Sequence, residues 1–312
     1  MKDLRQLPKL RDSLAYVYLE HCRIDREQSA IAIYDEDGLT PIPCASIALL
    51  LLGPGSRVTH AAMSALADNN CLVAWCGEEG VRLYCYGSGG SRSAAPLIEQ
   101  ARLVSDAGLR VEVARRMYSM RFQDEPPPHL GLEQLRGWEG RRVRDAYALA
   151  SKETGVTWKK REYDRSNWSA ADPVNRALTA ANACLYGVCH AAILSLGFSA
   201  GLGFIHTGWQ LSFVYDIADL YKTAISIPIA FRCAAESPID LEKRVRHACR
   251  DRFREINLLG RLSEDLPRAL GMKRETVDAF FAEDTGDTNP GGLWDIAGGV
   301  IAGGINYGDP DS

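Results

Sequence analysis

Residues 204–221 read FIHTGWQLSFVYDIADLY, and this stretch predicts a bend followed at once by an amphipathic helix. His206 follows two apolar residues and precedes a Thr-Gly pair, which predicts a bend at the end of a buried segment. Ser212 is a candidate N-cap for the helix that follows. Four apolar side chains then recur at helical spacing, namely Phe213, Ile217, Leu220 and Ala224.

Two aspartates lie beside the apolar face of this predicted helix. Asp216 and Asp219 are three residues apart, so they are neighbours on one flank, with β-carbons about 5–6 Å apart. Two carboxylates at the border of a core repel each other unless a positive group lies between them. A divalent cation, with His206 as a further ligand, is the simplest such group. The alternative is that the aspartates only favour the start of the helix and that His206 is an ordinary core or surface residue.

The composition is that of a soluble globular protein. The chain has 312 residues, of which 46% are hydrophobic and 24% are charged, and this suits two domains or one large domain. Its longest apolar run, residues 45–52, is far too short to span a bilayer, and the N-terminus does not resemble a signal peptide. The nine cysteines form no CxxC pair, so we expect reduced core residues. We therefore predict a cytoplasmic protein with no membrane partner.

The charge is distributed unevenly along the chain. The formal net charge is −4, but residues 272–312 hold eight acidic and two basic side chains, which makes the rest of the chain net positive. Residues 241–254, LEKRVRHACRDRFR, hold six basic and two acidic side chains. Such asymmetry predicts a basic body that meets phosphate groups and an acidic tail.

The chain divides into a β-rich part and a helical part. Residues 1–86 contain alternating and apolar runs typical of strands, with one short helix around Val58–Asp68. Residues 87–93, GSGGSRS, form a short Gly/Ser linker. Helical spacing dominates residues 94–284, and the glycine-rich residues 285–312 predict a flexible tail. The expected fold class is α+β, with an N-terminal β-rich domain joined by the linker to a mainly α-helical domain.

Within the helical part the spacing predicts five helices. The first is one long helix, which a run of three prolines ends. The five predicted segments are 95–121, 130–152, 172–196, the helix that begins near Ser212, and 238–256.

Glu139 is a candidate third metal ligand. It lies between Trp138 and Gly140 in a predicted helix, and a glycine inside a helix costs roughly 1 kcal/mol relative to alanine. Gly137 and Gly140, on either side of Glu139, suggest that something else approaches the backbone closely here. The alternative is a solvated charge in a basic helix.

Six motifs follow one another between residues 53 and 219, within a resemblance that runs from about residue 10 to about residue 265. They are GPGSRVTHAA at 53–62, GEEGVRLY at 77–84, LEQLRGWEGRRVRDAYALA at 132–150, CLYGV at 184–188, FIHTG at 204–208 and SFVYDIAD at 212–219. Their order and spacing resemble those of the CRISPR-associated spacer-acquisition integrases, specifically the subtype I-E branch of that family.

The resemblance implies the site residues and the reaction. The family's motif glutamate falls on Glu139, its histidine on His206, and its two aspartates on Asp216 and Asp219. We therefore expect these four residues to be catalytic. In the family the glutamate, the histidine and the second aspartate bind a divalent metal, so we expect Glu139, His206 and Asp219 to converge on Mg²⁺ or Mn²⁺. In the implied reaction a DNA 3′-hydroxyl attacks a phosphodiester in the repeat, and water in its place gives cleavage.

The resemblance also implies partners. Family members form homodimers, two of which flank a dimer of a small second CRISPR-associated protein. The complex binds a short duplex with single-stranded 3′ ends and inserts it at a CRISPR repeat. We expect the homodimer contact mainly in the β-rich domain, because so small a domain could not cover the apolar run at residues 45–52 alone.

Several basic and aromatic side chains are candidate DNA contacts. His21 takes the position of a tyrosine that stacks on the duplex end in relatives, and Tyr186 could belong to the core or pack near the scissile strand. For the arginines the alternative is a salt-bridged surface, but three of them recur at i, i+4 spacing, where like charges favour a bound anion. The candidates are His21, Arg57, Arg82, Tyr186, Arg244, Arg246, Arg250 and Arg254.

Two other classes of function compete with an integrase and endonuclease. One is a non-catalytic DNA-binding scaffold subunit of the adaptation complex that retains the fold. The presence of Glu139, His206, Asp216 and Asp219 argues against it, since a scaffold has no need for two carboxylates that repel each other. The other is a helical metal hydrolase of small phosphoesters, and the arginine excess is more than a small anion requires.

Overall fold

The computed structural model describes most of the chain, and the statements below concern these residues. They are 17–47, 49–69, 71–77, 83–87, 94–122, 127, 129–161, 172–273, 293–295 and 299–301. Most of the predicted linker and Arg82 lie outside them.

The N-terminal part forms two four-stranded sheets and one helix. The strands are β1 (Val17–Leu19), β2 (Arg23–Glu27), β3 (Ala30–Asp35), β4 (Gly38–Pro43), β5 (Leu49–Leu52), β6 (Arg57–Val58), β7 (Leu72–Cys76) and β8 (Leu83–Gly87), and helix α1 is His60–Asp68. The first sheet has the order β1-β5-β7-β8, with β8 antiparallel to β7 and the other pairs parallel. The second has the order β4-β3-β2-β6, with β6 parallel to β2 and the other pairs antiparallel.

Strand β5 of the first sheet is covered on both faces within the chain. Leu50 and Leu52 on one face of β5 pack with side chains from the second sheet and α1. Leu49 and Leu51 on the other face pack with Ala191, which lies in the long helix described below. All four leucines of β5 are buried, because residues distant in sequence cover them. The structure therefore removes the reason given for placing a homodimer contact on this run.

The helical part contains eight helices among the described residues. They are α2 (Ala95–Ser105), α3 (Ala107–Phe122), α4 (Leu132–Thr154), α5 (Pro173–Ser195), α6 (Ser212–Lys222), α7 (Ser226–Glu236), α8 (Leu241–Glu255) and α9 (Leu258–Leu270). The predicted helix over 95–121 is wrong as a single element. Asp106 has an extended backbone, and its side chain accepts a hydrogen bond from the backbone N–H of Leu109 at 2.9 Å, so it caps a second helix.

Sequence spacing missed α7 and α9. Each contains a proline, at Pro228 and Pro267, and prolines are ordinarily a signal against a helix. In α7 the proline lies in the first turn, where its missing N–H costs nothing. In α9 the apolar pattern from Leu258 to Leu270 is strong enough to bury one whole face despite Pro267.

Helix α5 is the centre of the helical part. It packs against α6, α7, α8 and α9, and fifteen of its 23 residues are buried. Asp172 caps it by accepting a hydrogen bond from the N–H of Asn175 at 2.8 Å, and Pro173 begins it. By length and composition this helix could cross a membrane, but 67% of its most apolar window is buried inside the protein, as in the core helix of a soluble protein.

Two short strands lie within the predicted flexible tail. Strand β9 (Leu293–Asp295) pairs antiparallel with β10 (Gly299–Ile301). The sequence interpretation did not include this pair. The remainder of residues 285–312 lies outside the described residues, so the flexibility of the tail stays a prediction.

His190 of α5 is expected to make the packing of α5 on the first sheet less stable at acidic pH. Its ring is buried edge-on to the ring of Tyr86 in β8, with centroids 5.3 Å apart. Burial lowers the pKa of His190 from 6.5 to about 4. As the pH falls, the unfolded chain binds a proton at His190 before the folded chain does. The contribution of neutral, buried His190 to stability is therefore complete above about pH 6.5 and is lost as the pH falls towards 4. The loss should be about 3 kcal/mol of unfolding free energy.

Urea unfolding at pH 7.5 and at pH 4.5 measures this effect. His190→Leu should lose less stability on acidification than the wild type. The control variant His60→Leu, at an exposed histidine, should lose as much stability on acidification as the wild type. Equal losses in the wild type and in His190→Leu would contradict the assignment.

Candidate active site

Asp216 organises the bend that precedes α6. One of its oxygens, Oδ2, accepts hydrogen bonds from the backbone N–H groups of Phe204 at 2.6 Å and Ile205 at 3.1 Å. The other, Oδ1, accepts from the backbone N–H of His206 at 2.9 Å. The side chain is fully buried. Buried carboxylates are tolerated when several N–H groups satisfy them, so Asp216 holds the bend at residues 204–206 in one conformation.

The bend packs closely against the start of α6, and this close packing depends on Gly203 and Ser212. A β-carbon on Gly203 would collide with the carbonyl oxygen of His206 and with Ser212. Ser212 is the first residue of α6 and not its N-cap, which corrects the prediction. Its hydroxyl donates to the carbonyl of Trp209 at 2.8 Å and accepts from the N–H of Trp209 at 3.1 Å. Ser212 therefore closes the turn ahead of the helix.

Asp216 also fixes the ring of His206. Its Oδ1 lies 2.7 Å from Nδ1 of His206, and this hydrogen bond raises the pKa of His206 above 6.5 despite partial burial. With Nδ1 engaged, the other ring nitrogen, Nε2, is the one left for a ligand. Proteins usually orient a metal-binding histidine by a hydrogen bond between a carboxylate and the ring nitrogen that does not bind the metal.

Asp219 lies one turn further along α6 between two cations. Its Oδ1 is 2.5 Å from Nζ of Lys222, and its Oδ2 is 3.4 Å from Nη1 of Arg121, which comes from the end of α3. Burial would raise the pKa of Asp219, but Lys222 and Arg121 outweigh it and hold the pKa below 3.8. Asp219 is therefore an ionised carboxylate in a largely buried position.

Glu139 meets the same guanidinium from α4. Its Oε1 is paired with Nη1 of Arg121, the nitrogen that also faces Asp219. Burial raises the pKa of Glu139, and Arg121 counteracts part of that shift. A β-carbon on Gly137 or Gly140 would meet nothing within 4 Å. No described part of the chain explains these glycines, so the open backbone beside Glu139 is available to another molecule.

The predicted metal ligands interact electrostatically with one another but are not in metal-binding geometry. Within the described residues, no three His, Cys, Asp or Glu side chains form a group that could hold a metal as they stand. The guanidinium of Arg121 lies between Glu139 and Asp219. Two carboxylates and the imidazole of His206, whose Nδ1 is held by Asp216, are nevertheless a suitable donor set for Mg²⁺ or Mn²⁺. The residues present fit such an ion once Arg121 moves.

A group of aromatic rings borders these residues. The ring of Tyr215 is edge-on to His206 at 5.7 Å between centroids and edge-on to Tyr186 at 5.1 Å. Nζ of Lys222 lies 4.8 Å from the centre of the Tyr186 ring. Tyr186 is half-buried, so it belongs partly to the core and partly to the edge of the site. Trp209, in the turn before α6, is 76% exposed.

Two of the other DNA-contact candidates lie together on the second sheet. His21 and Arg57 are both exposed, and they flank the turn through Gly55. The N–H of His21 donates to the carbonyl of Pro54 at 2.9 Å, and the N–H of Arg57 donates to the carbonyl of Cys22 at 2.9 Å. His21 has a positive φ of 50°, which directs it over this turn. Arg82 lies outside the described residues.

The four arginine candidates of α8 differ in their surroundings. Arg244 donates to the carbonyl of Cys233 at 2.6 Å and to Glu236 at 2.9 Å, so it caps the end of α7. Arg246 is half-buried, whereas Arg250 and Arg254 are exposed. Arg250 also pairs with the neighbouring Asp251 at 3.0 Å. Arg246, Arg250 and Arg254 therefore remain a stripe along one side of α8, which we call the arginine stripe, and Arg244 has a structural role.

Sequence reasoning missed two members of the site. Lys222 is three residues after Asp219 on the same helix, a spacing that could have identified it. Arg121 comes from 98 residues before Asp219, and nothing in its local sequence indicates this contact.

Comparison with known proteins places this chain in a family. The family model described as CRISPR associated protein Cas1 matches residues 15–125 and 128–249. The chain belongs to the Cas1 family. Over 313 residues it is 54% identical to the CRISPR-associated endonuclease Cas1 2 of Thermus thermophilus, covering 99% of this chain and 95% of that protein. Over 254 residues it is 44% identical to the CRISPR-associated endonuclease Cas1 of Escherichia coli, covering 81% and 83%.

Solved Cas1 structures share the fold. The crystal structure of a TtCas1–DNA complex matches with a TM-score of 0.74 at 56% identity, covering 85% of this chain and 99% of that chain. The family expected from the sequence is thus confirmed, as is the α+β class with a β-rich N-terminal region and a mainly helical remainder. The likeness does not distinguish the subtype I-E branch from other branches of the Cas1 family.

Proposed function

We propose that this chain is a divalent-metal-dependent DNA integrase and endonuclease of the subtype I-E branch. It would insert short foreign DNA into a CRISPR repeat array. The observation that carries the proposal is that Glu139 and Asp219 share the guanidinium of Arg121. His206, which Asp216 orients, interacts electrostatically with both carboxylates. A DNA complex of a Cas1 chain 56% identical to this one supports DNA as the substrate.

The chain's own residues have distinct roles in this proposal. Glu139 and Asp219 offer carboxylate oxygens to Mg²⁺ or Mn²⁺, and His206 offers Nε2. Asp216 positions His206, and Lys222 keeps Asp219 ionised. When bound, the metal supplies neutralisation of charge on the phosphate oxygens. Tyr186, at the edge of the site, is a candidate contact for the reacting strand.

The reaction exchanges one phosphodiester bond for another. The 3′-hydroxyl oxygen of the incoming duplex forms a bond to phosphorus in the repeat, and the bond from that phosphorus to the neighbouring 3′-oxygen breaks. The proton of the attacking hydroxyl leaves, and the departing 3′-oxygen takes up a proton. Water as the nucleophile gives cleavage, so nuclease activity accompanies integration.

We further propose the assembly implied by the family. The active form would be a homodimer in the cytoplasm, joined to the small second CRISPR adaptation protein. Exposed aromatic side chains on the first sheet, at Trp75, Tyr84 and Tyr86, are candidates for burial at a contact between chains. His21, Arg57 and Arg82 would contact the DNA from the β-rich domain, because two of them share one exposed corner of the second sheet.

A strand-transfer assay tests the function. The purified chain and the second protein are incubated with a short duplex bearing 3′-hydroxyl ends and a plasmid that carries the repeat. We expect integration with Mg²⁺ or Mn²⁺, and none with a chelator or with dideoxy-terminated duplex. Tight duplex binding without integration or cleavage in any divalent metal would favour the scaffold alternative instead.

The arginine stripe should contribute to DNA affinity through phosphate contacts. Each contact to duplex DNA releases counterions, so log affinity falls with log salt at a slope of about −0.9 per contact. Arg246→Ala, Arg250→Ala and Arg254→Ala should each make that slope shallower by roughly one and weaken binding to all sequences alike. Arg252→Ala on the same helix is the matched control, because Arg252 lies off the stripe and pairs with Glu255 at 2.8 Å. Stripe variants with the wild-type slope would place the DNA elsewhere.

A further inference from the structure

The site holds a cation of its own between the two carboxylates. Nη1 of Arg121 is paired with Oε1 of Glu139 and lies 3.4 Å from Oδ2 of Asp219. The side chain of Arg121 is only 6% exposed. One guanidinium nitrogen therefore occupies the space that the two carboxylates would share with a metal ion.

Arg121 and Lys222 differ in how they are held. Lys222 is on the same helix as Asp219, contacts Oδ1 of Asp219, which Arg121 does not contact, and has its ammonium 4.8 Å from the centre of the Tyr186 ring. It can stay in place while Oδ2 of Asp219 takes another partner. Arg121 bridges Glu139 and Asp219, so any ion bound by both carboxylates must take its position.

We infer that Arg121 is a placeholder cation that occupies the metal position of the metal-free protein and must be displaced before a divalent ion binds. This inference rests on the proposed metal dependence. Without a cation between them, Glu139 and Asp219 would repel each other at short range in a poorly solvated site. Arg121 removes that repulsion and keeps both ligands facing one point. The same positive charge opposes an arriving divalent ion.

Two consequences follow for the binding of metal by the free chain. The affinity is lower than the three ligands alone would give, because binding includes the displacement of a paired guanidinium. The stability of the metal-free protein is higher than it would be without Arg121, because that guanidinium neutralises two largely buried carboxylates. Removing its charge should therefore change metal affinity and metal-free stability in opposite directions.

The test measures Mn²⁺ binding by the full-length chain without DNA, from the electron paramagnetic resonance signal of free Mn²⁺. Arg121→Gln should bind Mn²⁺ about tenfold tighter than the wild type or more, because it removes the competing positive charge. Arg121→Lys keeps the charge but cannot bridge both carboxylates as a guanidinium does, so it should bind with intermediate affinity. Arg102→Gln, which removes an exposed arginine paired with Glu99 at 2.7 Å, should bind as the wild type does.

Thermal unfolding of the same proteins gives a second readout that does not depend on activity. In metal-free buffer Arg121→Gln should melt below the wild type, and saturating Mn²⁺ should raise its melting temperature by more than that of the wild type. If Arg121→Gln is too unstable to purify, Arg121→Lys carries the test with the same direction of effect.

The outcomes separate the inference from the function on which it rests. Mn²⁺ affinity that is unchanged or weaker in both Arg121 variants would overturn the placeholder role and leave the metal site intact. Failure of the wild type and of both variants to bind Mn²⁺ would overturn the metal dependence and the placeholder together.

Discussion

Replacement of Glu139 by alanine is expected to lower the strand-transfer rate by about 10³-fold or more and to leave duplex affinity nearly unchanged. The reason is that Glu139 supplies one of the three groups that would hold the metal, while in the described part of the chain it pairs with Arg121 and not with a proposed DNA contact. His206→Ala and Asp219→Ala should behave in the same way. Strand transfer is measured with the short duplex and repeat plasmid, and duplex affinity by fluorescence anisotropy at fixed salt.

Glu133→Ala is the matched control for this variant. Glu133 is an exposed glutamate in the first turn of the same helix, so its loss removes an equal charge without touching the site. It should integrate at close to the wild-type rate. Integration by Glu139→Ala at the wild-type rate would end the assignment of Glu139 as a ligand. Loss of duplex binding in parallel with integration would mean that Glu139 acts on DNA binding and not on the reaction.

Replacement of Asp216 by asparagine is expected to have the second largest effect. The two oxygens of Asp216 together accept from the backbone N–H groups of residues 204–206 and face Nδ1 of His206. Asparagine offers one oxygen, and its amide hydrogens would point at groups that are themselves donors. We expect the unfolding free energy to fall by about 3 kcal/mol, because buried donors lose a charged acceptor. Strand transfer should fall by about 100-fold, because Nε2 of His206 is no longer directed at the metal position.

The pH profile distinguishes positioning of His206 from a merely structural role of Asp216. The hydrogen bond to Asp216 raises the pKa of His206, so protonation competes with metal binding up to a higher pH than for an ordinary histidine. In Asp216→Asn the pKa of His206 should fall, and the acid limb of metal binding should move to lower pH. Histidine NMR titration of the metal-free protein checks the pKa directly.

Asp265→Asn is the control for this substitution. Asp265 accepts a hydrogen bond from the hydroxyl of Tyr221 at 2.6 Å and lies in α9, away from the bend at 204–206. Asp265→Asn should lower stability while leaving strand transfer and the pKa of His206 unchanged. An Asp216→Asn protein with the wild-type histidine titration would contradict the positioning role.

Much of the fold follows from local sequence patterns. The strand patterns within residues 1–86 and the helical spacing of α4, α5 and α8 predict elements that the structure contains, because strand and helix periods are set by near neighbours. Helices α7 and α9 were not predicted, and each contains a proline. The position of a proline within a helix, more than its presence, decides whether the helix can form. The spacing predicted one helix over 95–121, but the structure has two, which meet at Asp106. One side chain can cap a new helix within an otherwise continuous apolar pattern.

The candidate site was predicted from the sequence, but the structure changes the reason given for it. Asp216 and Asp219 were interpreted as two carboxylates that need a metal between them. In the structure, backbone N–H groups and Nδ1 of His206 satisfy the carboxylate of Asp216, and Lys222 with Arg121 neutralises Asp219. The sequence predicted these residues as a group, while their separate partners depend on contacts that spacing along one helix does not contain.

The sequence by itself determined that a β-rich region precedes a mainly helical one, which helix carries both aspartates, and the family. Only the tertiary structure decided which partner each charged group has. It brings Arg121 to Asp219 across 98 residues, covers β5 with α5, and uses Arg244 to cap α7. The physical reason is one of range. Periodicity and capping depend on residues within one or two turns, whereas the neutralisation of a buried charge depends on whichever side chains packing brings within a few ångströms.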